Sequence, residues 1–73
     1  MNYFEFNGQN ITIDMLIKIE QVVRILSESK KISFDKMLGR FYSSKTFRNL
    51  KNISSGLWAE SAEFIADDFN LIG

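Results

Sequence analysis

The chain has no cysteine and no histidine. The first absence excludes disulfides and thiolate nucleophiles, and the two together remove the usual ligands of a transition metal. Without histidine the commonest general base at neutral pH is missing as well, so a nucleophilic serine has no ordinary activating partner. Glycine is scarce, and Gly8, Gly39, Gly56 and Gly73 stand too far apart to form a phosphate-cradling loop. No stretch approaches the roughly 18 continuous apolar residues of a membrane span. The start, Met1-Asn2-Tyr3-Phe4-Glu5, lacks the basic residues and apolar run of a signal peptide. These absences predict a cytoplasmic, non-enzymatic protein with no metal, no cofactor, no membrane partner and no small-molecule substrate. Two close carboxylate pairs, Glu60 with Glu63 and Asp67 with Asp68, read as solvated charges, because adjacent residues on a helix do not face one another and charges on an exposed helix face are usually solvated.

With 73 residues the chain is expected to form one small domain, 1–73, near the size at which a single core is just enough. Its 45% hydrophobic and 25% charged content is that of a folded protein. Domains of this size often gain stability by association, since disulfides and metals are closed to this one. Ten aromatics crowd the sequence (Tyr3, Phe4, Phe6, Phe34, Phe41, Tyr42, Phe47, Trp58, Phe64 and Phe69), more than so small an interior readily buries. Some are expected to face a partner.

Net charge is zero, but its distribution is not even. Seven of nine cations (Lys30, Lys31, Lys36, Arg40, Lys45, Arg48, Lys51) fall in residues 30–51 with one acid, Asp35, giving that segment +6. Residues 1–29 hold two cations and four acids, for −2, and residues 52–73 hold four acids and no cation, for −4. A chain segregated in this way is expected either to pair its own opposite charges or to offer a basic surface to an anionic partner.

Asn7-Gly8 is the preferred pair for a two-residue type I′ turn, and it lies between Tyr3-Phe4-Glu5-Phe6 and Gln9-Asn10-Ile11-Thr12-Ile13. A short hairpin is expected there, which must pack on helices or receive a third strand, since a lone hairpin is marginal in water. Over residues 14–29, Met15, Leu16, Ile19, Val22, Val23 and Leu26 recur at helical spacing. Thr12 or Asp14 is the expected cap, and Lys30 and Lys31 suit the negative end of the helix dipole. Ile17 and Ile25 lie off this stripe, so the helix is expected to make contact on a second side.

Ser33 caps a second predicted helix, with Phe34, Met37, Leu38, Phe41 and Tyr42 at i, i+3, i+4, i+7 and i+8. Gly39 within it suggests close helix packing. Ser43-Ser44 offers a break and a cap for a short third helix over residues 45–52, with Phe47 and Leu50 inward. Asn52-Ile53-Ser54-Ser55-Gly56 reads as a loop, Leu57-Trp58 as an apolar anchor or short strand, and Ser61 as the cap of a last helix with Ala62, Ile65, Phe69 and Ile72 on one face. The expected fold is mostly α (α+β): an N-terminal β-hairpin packed on a compact bundle of three to four short helices. Its expected core is Leu16, Ile19, Val23, Leu26, Leu38, Phe41, Phe47, Leu50, Trp58, Ile65 and Phe69.

Residues 33–52 imitate a helix-turn-helix with a basic second helix, with Arg48 and Asn49 placed for base edges, Lys36, Arg40, Lys45 and Lys51 for phosphates, and Gly56-Leu57-Trp58 as the candidate wing. The turn lacks the usual glycine, however, and the sequence pI of 6.2 is well below that of most nucleic-acid binders. The same residues suit a protein contact, since Tyr, Trp and Arg dominate binding hot spots. The leading expectation is therefore a protein partner or homo-oligomer meeting Lys36, Arg40, Tyr42, Lys45, Arg48, Asn49 and Lys51, with DNA as the alternative.

Phe41-Tyr42-Ser43-Ser44-Lys45-Thr46-Phe47-Arg48-Asn49-Leu50, followed by Ser55-Gly56-Leu57-Trp58-Ala59-Glu60-Ser61-Ala62-Glu63-Phe64-Ile65, resembles a group of small uncharacterised bacterial proteins. Their shared pattern is F-Y-x-S-K-T-[FY]-x-x-L, then [ST]-G-L-[YW]-x-E-S-x-x-[FY]-I, and it runs from Phe41 to Ile65. The resemblance implies a compact, mostly helical protein, at times placed near toxin-antitoxin or mobile-element genes, with a non-enzymatic accessory or antitoxin-like role. It carries no functional residue over. The matched residues read as fold-maintaining, with Ser44 and Ser61 as caps and Gly56 as the release point.

Overall fold

The computed structural model describes residues 5–6 and 9–73, with side-chain surroundings from Asn10 onward. The Asn7-Gly8 turn and residues 1–4 lie outside the described residues. What is described of the expected hairpin is one two-residue antiparallel pairing, β1 (Glu5–Phe6) with β2 (Gln9–Asn10), in which Glu5 is opposite Asn10 and Phe6 opposite Gln9. The rest is helical, so the mostly-α class stands on residues 12–72.

α1 (Thr12–Lys30) is the long helix on which two of the other helices pack. Its first N–H is met by a side chain two residues before the earliest cap that the sequence suggests. Asn10 Oδ1 accepts the backbone N–H of Thr12 at 2.9 Å, while Thr12 itself is buried inside the first turn and Asp14 acts there only through the helix dipole. At the other end Lys31 takes the left-handed conformation, φ 56°, and the N–H groups of Lys31 and Ile32 both donate to the Ser27 carbonyl. That geometry is ordinarily glycine's, and it costs a side-chain-bearing residue about 1 kcal/mol.

The next three helices each begin on a serine, as expected. Ser33 Oγ accepts from Lys36 N ahead of α2 (Phe34–Tyr42), Ser44 Oγ from Phe47 N ahead of α3 (Lys45–Lys51), and Ser61 Oγ from Phe64 N ahead of α4 (Ala62–Ile72). Between α3 and α4 the chain makes two 3-10 turns, Ile53–Ser55 and Leu57–Ala59, joined at Gly56 with φ 77°. Leu57-Trp58 is thus a helical turn half-buried against the core, not a strand.

α2 and α4 pack on α1, and α3 packs on α2 and α4. The core is Met15, Ile19, Val22, Val23 and Leu26 of α1, Met37 and Phe41 of α2, Leu50 of α3, and Ala62, Ile65 and Ala66 of α4. Each large side chain here contributes about 1.5–3 kcal/mol by leaving water. Phe41 sits at the centre, its ring 5.7 Å from that of Phe47 and 6.1 Å from that of Phe69. Leu38, Phe47, Trp58 and Phe69 pack on the core but keep partial exposure.

Three expectations are corrected. Leu16 is 44% exposed, because it lies at the margin of the α1 stripe and, with Ile13 and Ile17, stays open at the start of the helix. Ile72 is exposed at the last turn of α4. Gly39 does not mark close packing, since a Cβ built there meets nothing within 4 Å.

Candidate functional site

α3 presents its polar side outward. Thr46 and Leu50 are buried and Phe47 half-buried, which turns Lys45, Arg48, Asn49 and Lys51 to solvent. Tyr42, at the end of α2, stands edge-on to Phe47 with ring centroids 4.8 Å apart, and Lys51 Nζ lies 5.0 Å from the centre of the Phe47 ring. Tyr42, Phe47 and Lys51 therefore form one continuous strip, with Arg48 next to Lys51 round α3 and exposed Lys45 and Asn49 further on, towards the side away from Phe47. Lys36 and Arg40 are exposed one turn apart on α2, but at 3.6 residues per turn they lie about 140° round the helix from Tyr42. The expected seven-residue surface thus divides into a main face of Tyr42, Lys45, Arg48, Asn49 and Lys51 and a separate pair.

None of these five cations forms an ion pair among the described residues. The ion pair found there joins Glu20 to Arg24 within α1, where Glu20, first by hydrogen bonding and then by charge, holds the Arg24 pKa above its ordinary value. Lys30 and Lys31 sit at the α1 C-terminus as expected, Lys30 with its Nζ 5.9 Å from the Phe69 ring centre.

The acidic α4 lies against α3, yet the contact between them is not one of opposite charges. Thr46 Oγ1 donates to Asp68 Oδ2 at 3.0 Å, and Lys45 N donates to the Gly73 carbonyl at 2.7 Å. Both contacts fall in the first turn of α3, so that end, which a helix-turn-helix protein would send into the major groove, already meets a carboxylate and a carbonyl. Of Gly56-Leu57-Trp58, expected as a wing, Leu57 and Trp58 rest half-buried on the core and Gly56 is exposed beside them.

The sequence marks the other side of α4 as acidic, through Asp67 and Asp68, but its apolar residues were not singled out. Glu63, Phe64, Asp67 and Leu71 lie within about 100° of one another on a helix, opposite buried Ala62, Ile65 and Ala66. Phe64 is 51% and Leu71 83% exposed. The signal was present as two apolar residues, i and i+7, left over from the inward stripe. An open cleft of about 490 Å³ lies elsewhere, lined by Lys18, Gln21 and Arg24 of α1 and Ser61 and Glu63 at the start of α4, and no predicted contact residue borders it. Lys18 closes one side of that junction by donating from Nζ to the Glu60 carbonyl at 2.6 Å.

No protein family, curated protein or solved structure matches the chain. Among the described residues, no helix is long and apolar enough to cross a membrane.

Proposed function

We propose that the protein is a non-enzymatic interaction module of the cytoplasm, antitoxin-like or otherwise regulatory, that binds an acidic surface of a partner protein through the outward face of α3. The observation that carries this reading is the strip of Tyr42, Phe47 and Lys51, with Arg48 and then Lys45 following round the exposed side of α3: aromatic surface at the edge of positive charge that forms no ion pair among the described residues. Aromatic and arginine side chains supply binding energy, and unpaired charge supplies orientation and rate. The antitoxin-like and bacterial elements of the reading rest on the sequence resemblance. The N-terminal hairpin packed on the helices belongs to the same proposal, and exposed Ile13, Leu16 and Ile17 supply apolar surface for it.

The test compares a helical acidic peptide carrying phenylalanine with a DNA duplex, each titrated with the protein across a salt series. The peptide is expected to bind, and to bind about tenfold or more weakly to a K45Q/R48Q/K51Q variant. Tight duplex binding that falls steeply with salt would replace this reading with the nucleic-acid one. Binding of neither at about 50 mM salt would remove both.

A further inference from the structure

We propose that the partner of the α3 face is a second copy of this chain, which docks the outward side of its α4 there, head to tail. The inference rests on the reading of α3 as a protein-binding surface and names its occupant. The two faces are opposite in charge and alike in character. Glu63 and Asp67 lie beside exposed Phe64 and Leu71 on α4, while Lys51, Arg48 and Lys45 follow in turn round the exposed side of α3 from Phe47, against which Tyr42 stands. Neither face is satisfied at home, since no acid of α4 pairs with a cation of α3 among the described residues.

The fold itself keeps them apart. The bond from Thr46 to Asp68 and the bond from Lys45 N to the Gly73 carbonyl hold α4 against α3 with its Glu63, Phe64, Asp67 and Leu71 side turned outward. Complementary faces that cannot meet within one molecule can meet between two, and a chain of zero net charge offers no overall repulsion. Because the two faces differ, the contact is heterologous: it continues into longer assemblies unless the rotation closes a ring.

Light scattering and sedimentation on the full chain test this with two charge-reversed variants, K45E/R48E/K51E and E63K/D67K, each checked for helical content. The wild type is expected to gain mass between about 10 µM and about 1 mM, and to lose at least about tenfold in association from about 50 to 500 mM salt. Each variant alone is expected to stay monomeric. Their equimolar mixture should associate again, because the intact face of each variant meets the intact face of the other and the two reversed faces are once more opposite in charge. Should a reversed variant fold poorly, K45Q/R48Q/K51Q and E63Q/D67N replace them, each then expected to associate about tenfold or more weakly than wild type. A wild type monomeric at about 1 mM, a variant that associates as the wild type does, or a reversed pair that fails to complement overturns the proposal. If the monomeric wild type still binds the acidic peptide, the self-association inference alone has failed. If it binds neither peptide nor itself, the α3 reading has failed with it.

Discussion

α3 and α4 are neighbours of opposite charge whose charges are not spent on one another. α3 is seven residues long and is held by Leu50 in the core, by Thr46 bonded to Asp68 and by its first N–H bonded to Gly73. α4 is eleven residues long and is held by Ala62, Ile65 and Ala66. In both, buried apolar contacts build the fold, with one hydrogen bond to a carboxylate and one to a carbonyl between them, and the remaining charges are left to solvent. Charge segregation along the chain therefore contributes little to holding these helices together. Exposed charges pair weakly in water, at about 0–1 kcal/mol, so the buried seam can set the arrangement without them.

Substitutions can break or sharpen that contrast. The largest effect is expected from Leu50→Ala, which removes the buried anchor of α3: about 2–5 kcal/mol of stability lost, read by chemical denaturation. Asp68→Ala comes next. It leaves the fully buried Thr46 hydroxyl without its acceptor and should cost about 1–3 kcal/mol, most of which Asp68→Asn should restore by keeping an oxygen in place. Gly56→Ala forces a side chain into the left-handed turn between α3 and α4 and should lower stability by about 1 kcal/mol, measured as a lower melting temperature. Gly39→Ala acts in the opposite direction. Its Cβ meets open space on an exposed turn of α2, so a gain of about 0.5–1 kcal/mol is expected, with peptide binding by the α3 face unchanged.

The elements that sequence reading located best were those with local chemistry. Ser33, Ser44 and Ser61 announce their helices because a hydroxyl before an amphipathic run has one obvious use, and each accepts the N–H three residues on. The α1 cap was misplaced because Asn10 reaches it through a side chain two residues before Thr12, inside a segment read as strand. Leu16 and Gly39 failed for a different reason. Whether a residue at the margin of a stripe is covered depends on where the neighbouring helices lie, and spacing along one helix does not contain that. Of the candidate surface, the outward direction of Lys45, Arg48, Asn49 and Lys51 was legible from inward Leu50. The separation of Lys36 and Arg40 from Tyr42 follows from helical geometry. The absence of acid-base pairing between α3 and α4 was not legible, because Thr46 and Gly73 take the contact and neither carries a charged side chain.

The central claim is that the charges of α3 and α4 act between molecules and not within one. A double-mutant cycle built from K45Q/R48Q/K51Q and E63Q/D67N tests it most directly when read twice, on unfolding of the dilute chain and on self-association of the concentrated one. The expected result is additivity in unfolding, within about 0.5 kcal/mol, together with strong non-additivity in association, where each set alone already removes the contact. Coupling of 1 kcal/mol or more in the unfolding of the dilute monomer, with none in association, would contradict the account and return the charges to the interior of a single fold.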